Sequence, residues 1–379
     1  MKGKQGLVCM GLLLVLSSCS CHTGKQITAS GLQRKDFQTE VNGQHTDLFT
    51  LSNKQGMEVC ITNYGARVVS ILVPDRNGKR EDVVCGFSTI TEYMEQRQNF
   101  GSTVGRYIGR ILNARFTLDG VEYKLVPNNG KSGHISHGGN PGFADRIWKV
   151  EQADTHRVRL SYLSPDGENG FPGNLKVTLV YSLGEDDNAL DLTYEATTDA
   201  PTVLNLSHHS FFNISGNFTK SVEDQQLWVD ADRFTPYDDK KCVTGEYLPV
   251  AGTPLDFRMP HTIGECIDAD HPQLKVVNGY DHTWELNTKG DDTRPAAWVY
   301  DPTSGRKMEI FTTEPGIQIY TGNGLKGKMT GKRGIAYPFR SAVCFETMHF
   351  QDSPNQPGFP STVLRPGEVF RSHTVYKFE

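Results

Sequence analysis

Polar and apolar residues alternate with a period of two along most of this chain. Residues 68–73, 175–183, 189–196, 226–230, 297–300, 308–311, 316–320 and 373–378 each read as a strand with one buried face. Between such segments stand Asp75-Arg-Asn-Gly78, Asp119-Gly120 and Asp186-Asp-Asn188, residue types that bond their own backbone or tolerate positive φ, as turns require. No long amphipathic helix pattern stands out. The 38 glycines and 19 prolines suit many short strands joined by loops. The pattern predicts an all-β protein, a large and mostly antiparallel β-sandwich. It runs as one domain over residues 31–379, because no repeat, charge block or low-complexity break interrupts it.

The alternation fails at the start. Met1-Lys-Gly-Lys4 is followed by an apolar stretch over residues 7–16, too short to span a bilayer as a mature helix. With Leu16-Ser-Ser-Cys19 after it, this segment resembles a bacterial lipoprotein signal. That implies a signal peptide over residues 1–18, lipidation of Cys19, and a flexible tether over residues 19–30. The expected product is exported and anchored to a membrane by its lipid, on the periplasmic or outer-membrane side. Loss of Lys2 and Lys4 takes the formal charge from −5 to −7, and with no basic run nucleic acid is excluded as a partner. The eight cysteines contain no Cys-x-x-Cys pair, which argues against a zinc site. An oxidising compartment would permit a Cys242–Cys266 disulfide, although spacing alone does not require one.

Candidate chemistry begins with Glu346, the one charge in Ala342-Val-Cys-Phe-Glu-Thr-Met-His-Phe350. Alternation puts it on a face with Cys344, Met348 and Phe350. A carboxylate there loses hydration and needs a partner, so it is half of a structural ion pair or a general base. In Asn205-Leu-Ser-His-His-Ser-Phe-Phe-Asn213, strand geometry divides two histidines: His209 shares a face with Asn205, Ser207 and Asn213, and His208 points with Leu206 and Phe212 to the core. His137 precedes Gly138 and Gly139, which would let backbone approach a ligand closely, or which belong to a plain surface loop. Asp281 stands at the mouth of a short strand, Gln318 offers an amide, and Arg106 and Arg110 lie four apart in Gly105-Arg-Tyr-Ile-Gly-Arg-Ile111. No phosphate loop, dinucleotide fingerprint or nucleophile elbow accompanies them. Such groups on a β scaffold suit a polar cleft for a sugar.

Taken in order, these segments resemble the aldose 1-epimerases, the galactose mutarotases. The resemblance rests on 105–111, His137-Gly-Gly139, Gly170-Phe-Pro-Gly-Asn174, 205–213, Gly279-Tyr-Asp-His282, Glu314-Pro-Gly-Ile-Gln-Ile-Tyr-Thr-Gly-Asn323 and, most strongly, 345–360. It implies the galactose mutarotase type of β-sandwich, a free aldohexose as substrate and no cofactor. By motif position it implies Glu346 as general base, His209 as general acid, and Arg110, His137, Asp281 and Gln318 as holders of the sugar hydroxyls, with Arg106 a lesser contributor. Three positions depart from the common pattern: Gly109 for asparagine, His208 for asparagine and Met348 for glutamine.

Anomer interconversion needs a base for the C1 hydroxyl proton and an acid for the ring oxygen, then the reverse after rotation in the open aldehyde. It needs no metal, nucleophile or redox cofactor. Glu346 and His209 are expected to face one cleft a sugar ring apart, ionised and protonated respectively, each charge stabilising the other. A glycoside hydrolase or lyase, using Glu346 and Asp281 as its two carboxylates, and a non-catalytic sugar-binding lipoprotein remain open readings at this point.

Overall fold

The computed structural model describes residues 26–379. The expected signal peptide, Cys19 and most of the tether lie outside the described residues. The fold claims the end of the segment read as tether: Thr28 and Ser30 are buried, and the Ala29 amide donates to Glu58 Oε1 at 2.7 Å.

Three sheets make the body. A nine-stranded antiparallel sheet runs, edge to edge, through Lys149–Ala153, Arg157–Ser164, Leu175–Leu183, Ala189–Thr198, Phe370–Phe378, Lys307–Thr312, Ala297–Tyr300, Gln226–Val229 and His261–Thr262. The C-terminal strand Phe370–Phe378 lies in its middle, between two strands distant in sequence. A six-stranded sheet orders Phe211–Phe212, Val343–Met348, Gly316–Tyr320, Asp281–Glu285, Arg233–Thr235 and Leu248–Pro249. Four more strands, Leu48–Ser52, Glu58–Thr62, Arg67–Pro74 and Arg80–Asp82, form a meander. The described helices are short; Ile90–Gln96 and Pro272–Val277 are its α-helices.

Alternation explains the layering. In Leu175–Leu183 every odd residue is buried and every even one is not or only partly, and Leu179, Tyr181, Leu192, Ile310 and Tyr376 meet Ile317, Ile319, Val343 and Phe345 of the six-stranded sheet in one core. Hydrogen bonds cross that core: Tyr376 OH donates to the Phe345 carbonyl at 2.9 Å, and the Thr347 and Thr374 hydroxyls pair at 2.7 Å. Val343–Met348 therefore presents Val343, Phe345 and Thr347 to the sandwich interior. Cys344, Glu346 and Met348 face the other way, where Glu346 and Met348 floor a cleft and Cys344 packs into a second apolar cluster. Phe350, expected on that face, lies past the strand end and packs on Tyr247 and Phe359 instead. Cys242 and Cys266 are unpaired thiols.

Candidate active site

Three adjacent strands place three functional side chains. Glu346 is directly opposite Gln318, and Gln318 directly opposite Thr283. Asp281 begins the same strand as Thr283, one pleat along. The row is tied by hydrogen bonds: Thr283 Oγ1 donates to Gln318 Oε1, and Gln318 Nε2 donates to Asp281 Oδ1 at 2.6 Å. The amide is thereby fixed in orientation.

His209 arrives from another direction, on the short strand Ser207–His209, which pairs with Ser102–Val104. Its ring lies on Phe211, centroids 5.1 Å apart. Nε2 is 3.3 Å from Glu346 Oε1 and Nδ1 is 3.7 Å from Cys344 Sγ. His208 points into the core between Tyr181 and Tyr376, its Nε2 2.7 Å from Ser210 Oγ. His137, held by its amide on the Gly109 carbonyl, sets its ring edge-on to His209 at 5.4 Å. Its Nδ1 is buried without a protein partner. Arg110, His137, His209, Asp281, Gln318 and Glu346 line a cleft of about 250 Å³. Its walls are mostly polar and its size suits one small polar molecule rather than a drug-sized ligand. A larger, shallower groove of about 730 Å³ lies over Arg34, His45 and Asp47, but Arg34 and Asp47 there already satisfy each other at 2.8 and 2.5 Å.

The structure thus brings together Glu346, His209, His137, Arg110, Asp281 and Gln318, and leaves Arg106 out. The Arg106 guanidinium is buried in a cage of oxygens, donating to the carbonyls of Ser164, Pro165, Pro172 and Gly173 and to Ser164 Oγ. It braces loops and cannot reach a sugar. The two glycines after His137 also serve the protein itself: a β-carbon on Gly138 would sit 2.0 Å from the Gly105 carbonyl oxygen, and one on Gly139 would meet Asn169 at 2.5 Å. Sequence reasoning missed Gln351, although it lies within segment 345–360, and Tyr237, a loop residue whose hydroxyl accepts from it.

The electrostatics differ from the expected ion pair. Burial pushes the Glu346 carboxyl well above its ordinary value, Asp281 pushes it further, and Arg110 offsets only part. Burial holds His209 down to about 4, against a stabilising hydrogen bond at its own backbone. His137 is held down to about 3, by burial first and then by His209 and Arg110. Desolvation is the leading cause at both groups, and it favours a neutral imidazole and a protonated carboxyl. At 3.3 Å the two groups are close enough for their titrations to be coupled. His209, Glu346 and Cys344 also offer ligand atoms within 4.8 Å of one another, a spacing an ion could use. Burial keeps the Cys344 thiol protonated, however, its pKa far above the usual thiol value, and a thiol must ionise to ligate.

An antiparallel sandwich with a coupled carboxyl–imidazole pair at the floor of a small polar cleft defines an acid–base enzyme of small polyols or sugars. The comparisons narrow the class. The aldose 1-epimerase family model matches residues 47–377. Galactose mutarotase of Sus scrofa is 39% identical over 330 residues, 87% of this chain and 93% of that protein. Aldose 1-epimerase of Escherichia coli K12 is 36% identical over 340 residues, 89% and 96% of the two chains. The crystal structure of an aldose epimerase homologue from C. elegans superposes with a TM-score of 0.81 at 31% identity, covering 88% of this chain and 99% of that one. The chain belongs to the aldose 1-epimerase family.

Proposed function

We propose that this protein interconverts the α and β anomers of free aldohexoses such as glucose and galactose by acid–base ring opening and closure, with Glu346 and His209 as the reacting pair. The observation that carries the reading is their 3.3 Å separation at the cleft floor. That is contact distance, too close to admit a sugar ring between the two groups. It suits the two oxygens that react, because the C1 hydroxyl and the ring oxygen are bonded to the same carbon.

In the ion-pair form, reached by moving one proton across that gap, the Glu346 carboxylate takes the C1 hydroxyl proton while His209 Nε2–H protonates the ring oxygen. The C1–O5 bond breaks, and the open aldehyde lies over a neutral pair. Rotation about C1–C2 and reversal of both transfers close the ring on the other face. Burial drives this cycle: a carboxylate whose pKa is raised is a stronger base, and an imidazolium whose pKa is lowered is a stronger acid. The neutral pair that desolvation favours is the pair that ring opening produces. Arg110, Asp281, His137 and the Gln318 amide hold the sugar in register.

The hydrolase reading asks for carboxylates on opposite sides of a glycosidic bond. Glu346 and Asp281 instead lie on one sheet, separated by a single strand, and Asp281 is tied to Gln318. The test is polarimetry of freshly dissolved α-glucose and α-galactose with tether-free protein. Equilibration no faster than in buffer, with the protein folded, rejects the function.

The N-terminal sequence further supports export and attachment to a membrane through lipid on Cys19. Cys19→Ser should shift the protein from the membrane fraction to the soluble one, and its mature N-terminus should lack acyl mass. Unchanged fractionation counts against the anchor.

A further inference from the structure

One wall of the cleft has no part in the proton transfers. It is built by Gly109, Met348 and Gln351. Gly109 has φ of 75°, and a β-carbon on it would lie 2.6 Å from Gln351 Cγ and 3.3 Å from Met348 Cε. The missing side chain at 109 is thus the space that the Gln351 side chain fills. Gln351 is 4% exposed. Its Nε2 donates to Tyr237 OH at 2.7 Å and reaches Gln318 Oε1 at 3.4 Å. With its nitrogen anchored twice, its amide plane is set. Its carbonyl oxygen accepts no protein hydrogen bond among the described residues, and the side chain borders the cleft. The neighbouring Gln318 oxygen is already taken by Thr283, so Gln351 supplies this wall with its unspent amide acceptor.

We propose that Gln351 is a specificity-determining residue, its carbonyl accepting a hydrogen bond from one ring hydroxyl of the aldose, and that Gly109 is the position that admits it to the cleft. Met348 beside it presents an apolar surface to the sugar's C–H groups. The contact holds substrate and transition state alike, and so grades aldoses by whether they carry that hydroxyl. This inference rests on the aldose 1-epimerase reading of the site.

The experiment compares wild type, Gln351→Met, Gly109→Ala and the double variant, by mutarotation of glucose and its 2-, 3-, 4- and 6-deoxy analogues. Gln351→Met keeps the volume and removes the amide. It should lower kcat/KM for glucose roughly tenfold, mainly through KM, as loss of one uniform hydrogen bond does. For one deoxy analogue it should change little, because that sugar makes no such contact. Gly109→Ala should reproduce the same ranking of sugars by displacing Gln351, and the double variant should be no worse than the poorer single one. A loss equal for all sugars, or no loss, overturns the role of Gln351. Losses that multiply in the double variant overturn the link to Gly109. Should Gly109→Ala fail to fold, Gln351→Met decides alone. No mutarotation by the wild type with any of these sugars overturns both this inference and the function it rests on.

Discussion

Arg106 and Arg110 stand four residues apart in one motif, and they live in opposite surroundings. Around Arg106 the chain has spent its polar groups on itself: the guanidinium donates to four backbone carbonyls and two hydroxyls, and burial lowers its pKa to about 10. Around Arg110 polar groups are brought together and left short of partners. His137 Nδ1 has none, Asp281 is half-buried with its pKa raised by desolvation, and Glu346 is pushed up beside it. Both regions are buried and charged. What separates scaffold from site is saturation: a satisfied cage holds the fold, whereas an unsatisfied cluster carries a free-energy deficit that a ligand can remove.

The sharpest way to break this contrast is at the pair itself. Glu346→Gln and His209→Asn should each lower kcat by about 10²–10⁴-fold, the range for a positioned acid or base, while thermal unfolding stays cooperative and no earlier. Near-normal polarimetric rates in either variant would reject the assignment. Next comes the exchange of roles between the arginines. Arg106→Met should cost about 3 kcal/mol or more of stability, because several buried carbonyls lose their donor. Arg110→Met should stay within about 1 kcal/mol of wild type in denaturant melts and instead raise KM. If the two variants behaved alike, saturation would not be the distinction.

The pH profile sharpens the comparison further. Because His209 is held down to about 4, the second proton enters the pair only near that value, and kcat/KM should hold level below pH 6 and fall near pH 4. An acid limb centred at the ordinary histidine value of about 6.5 would show that burial does not govern the pair. The smallest effect concerns the neighbour. His208 is held down to about 3, by burial and then by His209, and it is used in no transfer. Its folded-state pKa lies below its unfolded value, so the unfolded chain binds more protons between pH 6.5 and about 3, and stability falls as pH drops through that window. His208→Asn should flatten this decline by up to about 1.4 kcal/mol per pH unit and leave mutarotation near wild type. An unchanged slope would refute the neutral, buried state of His208.

Much of the fold was legible because a sheet buried on one face writes its period into the sequence. Residues 175–183, 297–300 and 316–320 are strands with the bounds that alternation predicts, and the separation of His208 from His209 follows from the same pleat. Glu346 was legible as an anomaly for the same reason. Its protonation was not, since that depends on the net of burial, Asp281 and Arg110, which come from distant segments. Arg106, read as the lesser contributor of its motif, is spent on the scaffold, which spacing in a motif does not reveal. Tyr237 and Gln351 carried no periodic signal at all, being loop residues positioned by contacts with Gln318 and by the space left at Gly109.

By itself, the sequence determined the β architecture, the faces of its strands and the identities of the acid and base candidates, because these depend on local alternation and on single residues out of place. Only the tertiary structure decided that Glu346 and His209 meet across 3.3 Å, which arginine serves the site and which the scaffold, and what fills the wall beside Gly109. Each of those is set by the distance between segments far apart in the chain, and desolvation and hydrogen-bond saturation act through that distance.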